Sequence, residues 1–388
     1  MPSGRVVFSQ LMEWLPRYEF NQCVDRYQGN HRVRDFSCLD QFLCMAYGQI
    51  AFKDSLRATV LCLRAAQSKL YRMGIRGRVS RSTLADANET RDWRIYADLA
   101  AVLIGIARRL YADEPLPVDP GETAYAFDST TIDLCLSLFP WAPFRKHKAA
   151  VKLHTLIDLR GSIPCFISVS DGKTVDMEAL DHLALEPGAY YVMDRGYIDF
   201  KRLYAFCQSA AFFVVRSRGN LDYRRSLSRE VDKTTGLRSD ETISLRGPKT
   251  RDRYPAPLRR VTFFDEEKRV RYVFLTNNFR LAALTVADLY KRRWRVELFF
   301  KWIKQNLHIK GFFGTSANAV QTQVWIAISV YLLIAILKNQ LHLPHTPAQI
   351  LHIVSTNLLE ELPLQQAFAN YDAANSNLAP SKQLDLFN

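Results

Sequence analysis

The spacing of hydrophobic positions divides the chain near residue 112. Up to that point apolar residues recur three and four positions apart, which is the period of an amphipathic helix. Ser37 and Ser82 precede two of these stretches, where a serine hydroxyl can cap the first helical turn. The predicted helices cover residues 39–49, 54–73, 82–89 and 92–111.

Beyond a proline-rich linker at residues 113–122, the pattern changes to short apolar runs separated by turns. Five strands are predicted, at residues 125–133, 151–159, 163–170, 189–194 and 211–215, of which the second alternates with period two. The second and third strands flank a turn at residues 160–162, so we expect a hairpin. Helices are predicted between the later strands, at residues 175–184 and 199–209. This order of elements predicts an α/β domain with a mixed sheet.

Residues 216–278 interrupt this alternation of strands and helices, because they are rich in Arg, Lys, Ser and Thr and carry only short β-type runs. We interpret them as a β-rich, basic insertion. The α/β pattern then resumes in a helix at residues 285–306, and further helices are predicted at residues 320–341 and 347–358. The apolar run at residues 324–337 is short for a membrane span and predicts a buried core helix.

The first helix after the insertion carries the clearest chemical pattern. At about 100° per residue, Tyr290, Arg293, Glu297 and Lys304 fall on one narrow stripe, beside an apolar stripe that can pack on a core. A carboxylate flanked by two cations and a phenol suits a metal-bound phosphate better than a solvated surface. Lys301 falls close to the same stripe and is a candidate for a further phosphate contact.

Two tryptophans of the same helix can each be interpreted in two ways. Trp294 and Trp302 lie away from the charged stripe. One of them can stack on a flipped DNA base. Packing in the core is the commoner role for such residues.

The composition indicates a polyanionic partner. The net charge of +13 and the pI of about 9.4 favour nucleic acid, although they say nothing about the fold. The seven cysteines are scattered and contain no Cys-x-x-Cys pair, which argues against a disulfide framework or a structural zinc site and for a reducing cytoplasm. The N-terminal stretch lacks the apolar run of a secretory signal.

Three acidic residues are candidates for a metal site. Asp128 and Asp194 stand at or near the ends of predicted apolar strands, where a carboxylate is costly unless it is hydrogen-bonded, paired or bound to metal. Each alone is as well explained as a cap of the following turn. With Glu297 they form a set from two strands and one helix, and such carboxylates can hold two divalent ions, with Mg²⁺ the natural choice.

These residues resemble a known family. Tyr290, Arg293, Glu297 and Lys304 are separated by two, three and six residues, which matches the Tyr-Arg-Glu-Lys signature of bacterial insertion-sequence transposases of the insertion-sequence-four type. The segments Phe127-Asp-Ser-Thr130 and Val192-Met-Asp-Arg-Gly-Tyr197 resemble the motifs around that family's two aspartates. The basic insertion lies between the second aspartate and the glutamate, as it does in such proteins. The resemblance extends over about residues 1–360.

The resemblance implies an α/β fold with an RNase H-like catalytic core and a DDE transposase activity. Asp128, Asp194 and Glu297 are then the metal-binding catalytic residues for two Mg²⁺ ions, with Mn²⁺ able to substitute. Tyr290, Arg293 and Lys304 are expected to hold DNA phosphates. The implied partners are double-stranded DNA, at the terminal inverted repeats and at the target, and a second copy of the chain in a synaptic dimer. The implied location is the bacterial cytoplasm, with the nucleoid.

Two further basic stretches are candidates for DNA contacts, with a solvated loop as the alternative for each. Arg76, Arg78 and Arg81 belong to a glycine-bearing turn that leads into a helix. Arg145, Lys146 and Lys148 lie between the first two strands. The nearby His147 and His154 have no suitably spaced partners and are not expected to bind metal.

The regions expected on this basis are a helical N-terminal DNA-end-binding region (1–112), a linker (113–122), the first part of the core (123–215), the insertion (216–278), the glutamate helix of the core (279–310), C-terminal helices (311–366) and a mobile tail (367–388). Two other functions stay open. One is an RNase H-like nuclease that cuts without strand transfer, and the other is a transposase-derived DNA-binding protein that lacks catalysis.

Overall fold

The computed structural model describes residues 4–119, 121–145, 148–306 and 312–376. The chain forms two compact units. The helical unit consists of Met1–Leu110 and Trp302–Asn388, and the sheet unit consists of Tyr111–Lys301. The N-terminal and C-terminal helices, which the sequence analysis treated as separate regions, thus belong to one unit.

The first half of the helical unit contains seven helices. They are α1 (Val7–Leu11), α2 (Arg17–Arg26), α3 (Cys38–Ile50), α4 (Leu56–Ala65), α5 (Gln67–Met73), α6 (Arg81–Thr90) and α7 (Arg94–Leu110). Ser37 caps α3 as predicted, because its hydroxyl accepts a hydrogen bond from the backbone N–H of Asp40. The predicted cap at Ser82 is wrong: α6 begins one residue earlier, and Ser80 accepts from the backbone N–H of Thr83.

The sheet unit is built on a ten-stranded sheet. The strands are β1 (Ala124–Leu134), β2 (Pro143–Arg145), β3 (Lys148–Asp158), β4 (Ile163–Asp171), β5 (Tyr190–Met193), β6 (Phe212–Arg216), β7 (Tyr223–Arg229), β8 (Leu237–Leu245), β9 (Leu258–Asp265) and β10 (Val270–Thr276). Their order is β2-β3-β1-β5-β6-β10-β9-β8-β7, with β4 also paired to β3. The predicted hairpin is β3–β4.

Five of these strands form the expected core. β3 runs antiparallel to both of its neighbours β4 and β1, and β5 and β6 then run parallel to β1. Three antiparallel strands followed by two parallel ones are the arrangement of an RNase H-like sheet, which confirms the predicted fold class. One face of this sheet carries the buried aromatic side chains Tyr125, Tyr191 and Phe213, and Phe206 and Tyr254 from outside the sheet complete the same core.

The basic insertion is β-rich, as predicted, but it is not a separate body. β10 pairs antiparallel with β6, so strands β7–β10 extend the core sheet beyond its last parallel strand. Backbone hydrogen bonds therefore connect the insertion directly to the core.

The α-helices of the sheet unit are α8 (Phe200–Gln208), α9 (Pro248–Arg253), α10 (Ala283–Arg292) and α11 (Trp294–Asn306), the last of which continues into the helical unit. Two of the predicted helices differ from the structure. The helix expected at residues 175–184 is a 3₁₀ helix over Asp176–His182. The continuous helix expected at residues 285–306 is broken at Arg293, where the backbone N–H of Arg293 donates to Tyr290 and that of Val296 donates to Arg293, three residues back in each case.

The helical unit is completed by α12 (Ala317–Gln340), α13 (Pro347–Thr356) and α14 (Leu364–Ser376). α12 is long and apolar enough to cross a membrane, but 89% of its most apolar window is buried inside the protein. It is therefore the core helix that the sequence predicted. The mobile tail predicted from residue 367 is wrong in its first part, since α14 extends to Ser376 and buries Ala367 and Phe368. The rest of that segment lies outside the described residues.

Candidate active site

Two adjacent parallel strands place the two predicted aspartates side by side. β1 and β5 pair with Phe127 opposite Met193, and Asp128 and Asp194 are the next residues on each strand. β5 ends at Met193 whereas β1 continues to Leu134, and the parallel register makes the two aspartates neighbours at the end of β5. Both aspartates are half-buried.

The break between α10 and α11 brings three residues of the charged stripe to the same edge. The Tyr290 hydroxyl donates a hydrogen bond to Oδ1 of Asp194 over 3.1 Å. Arg293 Nη1 donates to Oδ2 of Asp128 over 2.8 Å, and its Nη2 donates to Oε1 of Glu297 over 2.5 Å. These bonds form two sets, Tyr290 with Asp194 and Arg293 with Asp128 and Glu297. The two sets adjoin, because the guanidinium carbon of Arg293 lies 5.6 Å from the centre of the Tyr290 ring.

Burial governs the protonation of this group. It raises the pKa of Asp128 to about 6, against the opposing effects of the Ser129 N–H and Arg293, while the carboxylates of Glu297 and Asp194 add to the rise. Burial also raises the pKa of Tyr290 to about 12, so that its hydroxyl stays a donor at neutral pH. Burial alone would lower the pKa of Arg293, but Tyr290, Asp128 and Glu297 outweigh it and raise that pKa.

The carboxylates fit a divalent ion by their chemistry, but Arg293 holds two of them. Within the described residues, no three His, Cys, Asp or Glu side chains are grouped so that they could hold a metal ion. At the predicted triad the cause is visible, because the guanidinium of Arg293 bridges Asp128 and Glu297. Three carboxylates remain a donor set that suits a hard cation such as Mg²⁺. A metal ion would compete with Arg293 for the same oxygens.

The remaining predicted DNA contacts of the sheet unit lie on its surface. Lys301 is exposed on α11. Arg145 and Lys148 are exposed and directly opposite each other on β2 and β3, and the Arg145 guanidinium lies 5.0 Å from the centre of the Phe144 ring. Lys146 lies outside the described residues.

The other predicted DNA contacts belong to the helical unit. Lys304 is half-buried on the last part of α11, and Arg76, Arg78 and Arg81 are exposed. The Arg76–Arg78 turn is fixed to the start of α3, because Oδ1 of the buried Asp40 accepts hydrogen bonds from the backbone N–H groups of residues 76 and 77.

Arg34 lines the same cleft as Arg76 and Arg78 and was missed by the sequence analysis. It lies in the loop before α3, where no periodic pattern or glycine-bearing turn marks it. The cleft therefore gathers three arginines, from two segments of the helical unit.

The two tryptophans have different environments. Trp302 is buried and packs edge-on against Tyr331 of the same unit, with ring centroids 4.8 Å apart. Trp294 is 56% exposed at the start of α11. His154, which was not expected to bind metal, is buried, and its Nε2 hydrogen-bonds with Ser170 over 2.9 Å.

Comparison with protein families gives two matches. The family described as "Transposase DDE domain" matches residues 119–333, which include all three acids and the whole sheet. A family described as a domain of unknown function (DUF4372) matches residues 3–76.

Two relatives agree with the first match. The y4zB transposase of Sinorhizobium fredii is 32% identical over 65% of this chain and 70% of its own length. The transposase of insertion sequence element IS5377 from Geobacillus stearothermophilus is 32% identical over 55% of this chain and 56% of its own. A solved piggyBac transposase synaptic complex with hairpin DNA aligns with 96% of this chain and 85% of its own, at 11% identity and a TM-score of 0.46.

Proposed function

The chain belongs to the transposase DDE domain family and is a bacterial insertion-sequence transposase, and from that premise we propose that Asp128, Asp194 and Glu297 are its catalytic carboxylates. The observation that carries this proposal is their convergence. Two adjacent strands and one helix bring the acids to one place, where Arg293 binds Asp128 and Glu297 and the neighbouring Tyr290 binds Asp194. We also assign the chain to the insertion-sequence-four type, on the spacing of its Tyr-Arg-Glu-Lys residues.

Members of this family act with divalent metal ions, and we propose two Mg²⁺ ions at these carboxylates, with Mn²⁺ as a substitute. When bound, such ions stabilise charge on the phosphate oxygens and make a water or hydroxyl a better nucleophile. The protein contributes the oxygen ligands and a partly buried setting in which charges interact strongly. Asp128 must be ionised for this role, so acid should oppose metal binding as the pH falls below its pKa of about 6.

Arg293 is proposed to exchange its carboxylate partners for a DNA phosphate when substrate binds. A guanidinium binds a phosphate bidentately, as it binds a carboxylate. The buried Nε of Arg293 has no hydrogen-bond partner among the described residues, which leaves a donor available for a phosphate oxygen. The Tyr290 hydroxyl and the Lys304 ammonium are proposed to contact phosphates of the same DNA terminus.

The proposed reaction is cleavage at the element's ends followed by joining to target DNA. Water attacks a phosphodiester and releases a strand with a 3′-hydroxyl. That hydroxyl then attacks a second phosphodiester, on the opposite strand to form a hairpin, or in the target to form the joined product. Each step breaks one phosphate–oxygen bond and forms another, so no oxidant or reductant is required.

The proposed partners are two kinds of DNA and a second copy of the protein. The arginine cleft of Arg34, Arg76 and Arg78, together with Arg81, is proposed to bind the terminal inverted repeats through their phosphates. Arg145, Lys146, Lys148 and Lys301 are proposed to contact the DNA backbone near the active site. The protein is proposed to act as a synaptic dimer on paired element ends. Its proposed location is the cytoplasm, with the nucleoid.

A strand-transfer assay tests this function against its two alternatives. The substrate is a precut duplex with the terminal repeat that flanks the gene, incubated with plasmid target and Mg²⁺. We expect joined product from the wild type and none from Glu297→Gln, which keeps the size of the side chain but not its charge. Glu230→Gln, which changes an acid of the sheet unit outside this site, should behave like the wild type.

The other outcomes would contradict the proposal in different ways. Cleavage of an uncut end without joining would favour the nuclease. Binding of the repeat without either reaction would favour a DNA-binding protein that lacks catalysis.

A further inference from the structure

Arg216 lies in line with Asp128 and Asp194 across three adjacent strands of the sheet. β5 and β6 are parallel, with Met193 opposite Val215, so Arg216 follows on β6 where Asp194 follows on β5. Asp128, Asp194 and Arg216 thus occupy equivalent positions along three adjacent parallel strands. The position of Arg216 beside the acids is fixed by backbone pairing.

The Arg216 side chain lies on the same face of the sheet as Tyr290. Its guanidinium carbon lies 5.1 Å from the centre of the Tyr272 ring. Tyr290 packs against the same ring, with centroids 6.1 Å apart, and its hydroxyl reaches Asp194. Arg216 and Tyr290 therefore contact the same Tyr272 ring, and Tyr290 in turn binds Asp194.

The charge of Arg216 is not neutralised by a carboxylate. Among the described residues, Arg216 forms no salt bridge, in contrast to Arg293, which bridges two acids. The side chain is half-buried, and a partly desolvated cation gains most from an anion that arrives with the substrate. A DNA phosphate is such an anion, and the transposition reaction brings phosphates to this edge of the sheet.

We propose that Arg216 binds a DNA phosphate next to the scissile one and is a further substrate-contacting residue of the reaction. This inference rests on the proposed function of the three acids. Arg216 would hold the strand on the side of Asp194 that lies away from Asp128, while Arg293 acts between the acids. The Tyr272 ring keeps the guanidinium in place before DNA arrives.

Duplexes with one neutral phosphate test this contact directly. A methylphosphonate is placed at each position in turn around the cleavage site, and Mg²⁺-dependent cleavage is measured for the wild type, Arg216→Ala and Arg216→Lys. On unmodified DNA, Arg216→Ala should cleave roughly 10- to 100-fold more slowly, the effect of losing a hydrogen bond to a charged group. Arg216→Lys should retain part of the rate.

Arg271→Ala is the matched control. Arg271 is exposed on β10 next to Tyr272, and successive strand residues point to opposite faces, so this variant removes the same charge from the other face of the sheet. It should cleave unmodified DNA at the wild-type rate.

The expected signature is one phosphate position at which neutralisation slows the wild type and Arg271→Ala but has no further effect on Arg216→Ala. A folding defect cannot produce such position-specific loss. Wild-type cleavage rates in Arg216→Ala, or equal penalties in both proteins at every position, would overturn the inference. A wild-type protein that does not cleave the unmodified duplex would instead contradict the proposed function.

Discussion

Arg293 Nη1 donates a hydrogen bond to Oδ2 of Asp128 over 2.8 Å, so a side chain that the sequence assigned to DNA binds a predicted metal ligand. The same guanidinium also binds Glu297. If these carboxylates bind metal as proposed, Arg293 and the metal ion compete for the same oxygens in the protein without DNA. The proposed site then requires Arg293 to release both carboxylates before they ligate metal.

Removal of the Arg293 charge should strengthen metal binding to the DNA-free protein. We expect Arg293→Gln to bind Mn²⁺ about tenfold more tightly than the wild type in calorimetric titration, because the competing cation is lost. The control is Arg292→Gln, which removes the neighbouring arginine, a partner of Asp288. This variant should bind Mn²⁺ like the wild type. Equal or weaker Mn²⁺ binding by Arg293→Gln would show that Arg293 does not compete with metal.

His154 should make the protein less stable in acid. Burial lowers its pKa below the ordinary 6.5, with a smaller opposing effect of Asp176 and a further lowering by Lys152. The unfolded chain therefore binds more protons than the folded one once the pH falls below 6.5, and stability is lost from there downwards by at most about 1.4 kcal/mol per pH unit.

Urea unfolding at pH 7.5 and pH 5.5 measures this dependence. His154→Gln removes the titrating ring and keeps a donor for Ser170, so its stability should change less between the two pH values than that of the wild type. His31→Gln, which changes an exposed histidine, should keep the wild-type dependence. An unchanged pH dependence in His154→Gln would contradict the role of burial.

The two tryptophans of α11 should differ in their effect on stability. Trp302→Ala should lower the free energy of unfolding by about 3–5 kcal/mol, because it leaves a cavity beside Tyr331. Trp302→Phe should cost less, since it removes only part of the ring and a buried indole N–H that has no hydrogen-bond partner among the described residues. Trp294→Ala should stay within about 0.5 kcal/mol of the wild type. Similar losses for the two alanine variants would show that Trp294 also packs.

Arg78 should contribute one phosphate contact to DNA binding. For Arg78→Ala we expect the slope of log K against log salt to decrease in magnitude by about 0.9 on a terminal-repeat duplex. Gly77→Ala should weaken binding as well, because its Cβ would lie 2.0 Å from the Asp35 carbonyl oxygen and displace the turn. Arg94→Ala is the control, since Arg94 is exposed but paired with Asp92. An unchanged slope in Arg78→Ala would remove this residue from the interface.

That the acids lie close together could be expected from the sequence because their positions depend on local patterns. Each aspartate follows an apolar run, and the parallel pairing of β1 and β5 makes Asp128 and Asp194 neighbours, although β1 continues past Asp128 to Leu134. The stripe of Tyr290, Arg293 and Glu297 followed from helical periodicity. The structure brings these five side chains together.

The sequence could not predict features that depend on distant contacts. No glycine or proline marks the break at Arg293, which coincides with the hydrogen bonds of that side chain to Asp128 and Glu297. Arg216 stood outside every motif, and its place beside Asp194 depends on the pairing of β5 with β6. The single helical unit likewise depends on α12, which packs against α7 from the opposite end of the chain.

A cysteine substitution with a change of metal tests the central claim, that the three acids bind metal. Thiolate is a poor ligand for Mg²⁺ and a better one for softer ions such as Mn²⁺. Asp194→Cys should therefore lose DNA cleavage with Mg²⁺ and regain it with Mn²⁺, whereas Asp181→Cys, at an exposed acid paired with Arg202, should cleave with both ions. Cleavage by Asp194→Cys with Mg²⁺ at the wild-type rate would contradict the assignment of Asp194 as a metal ligand.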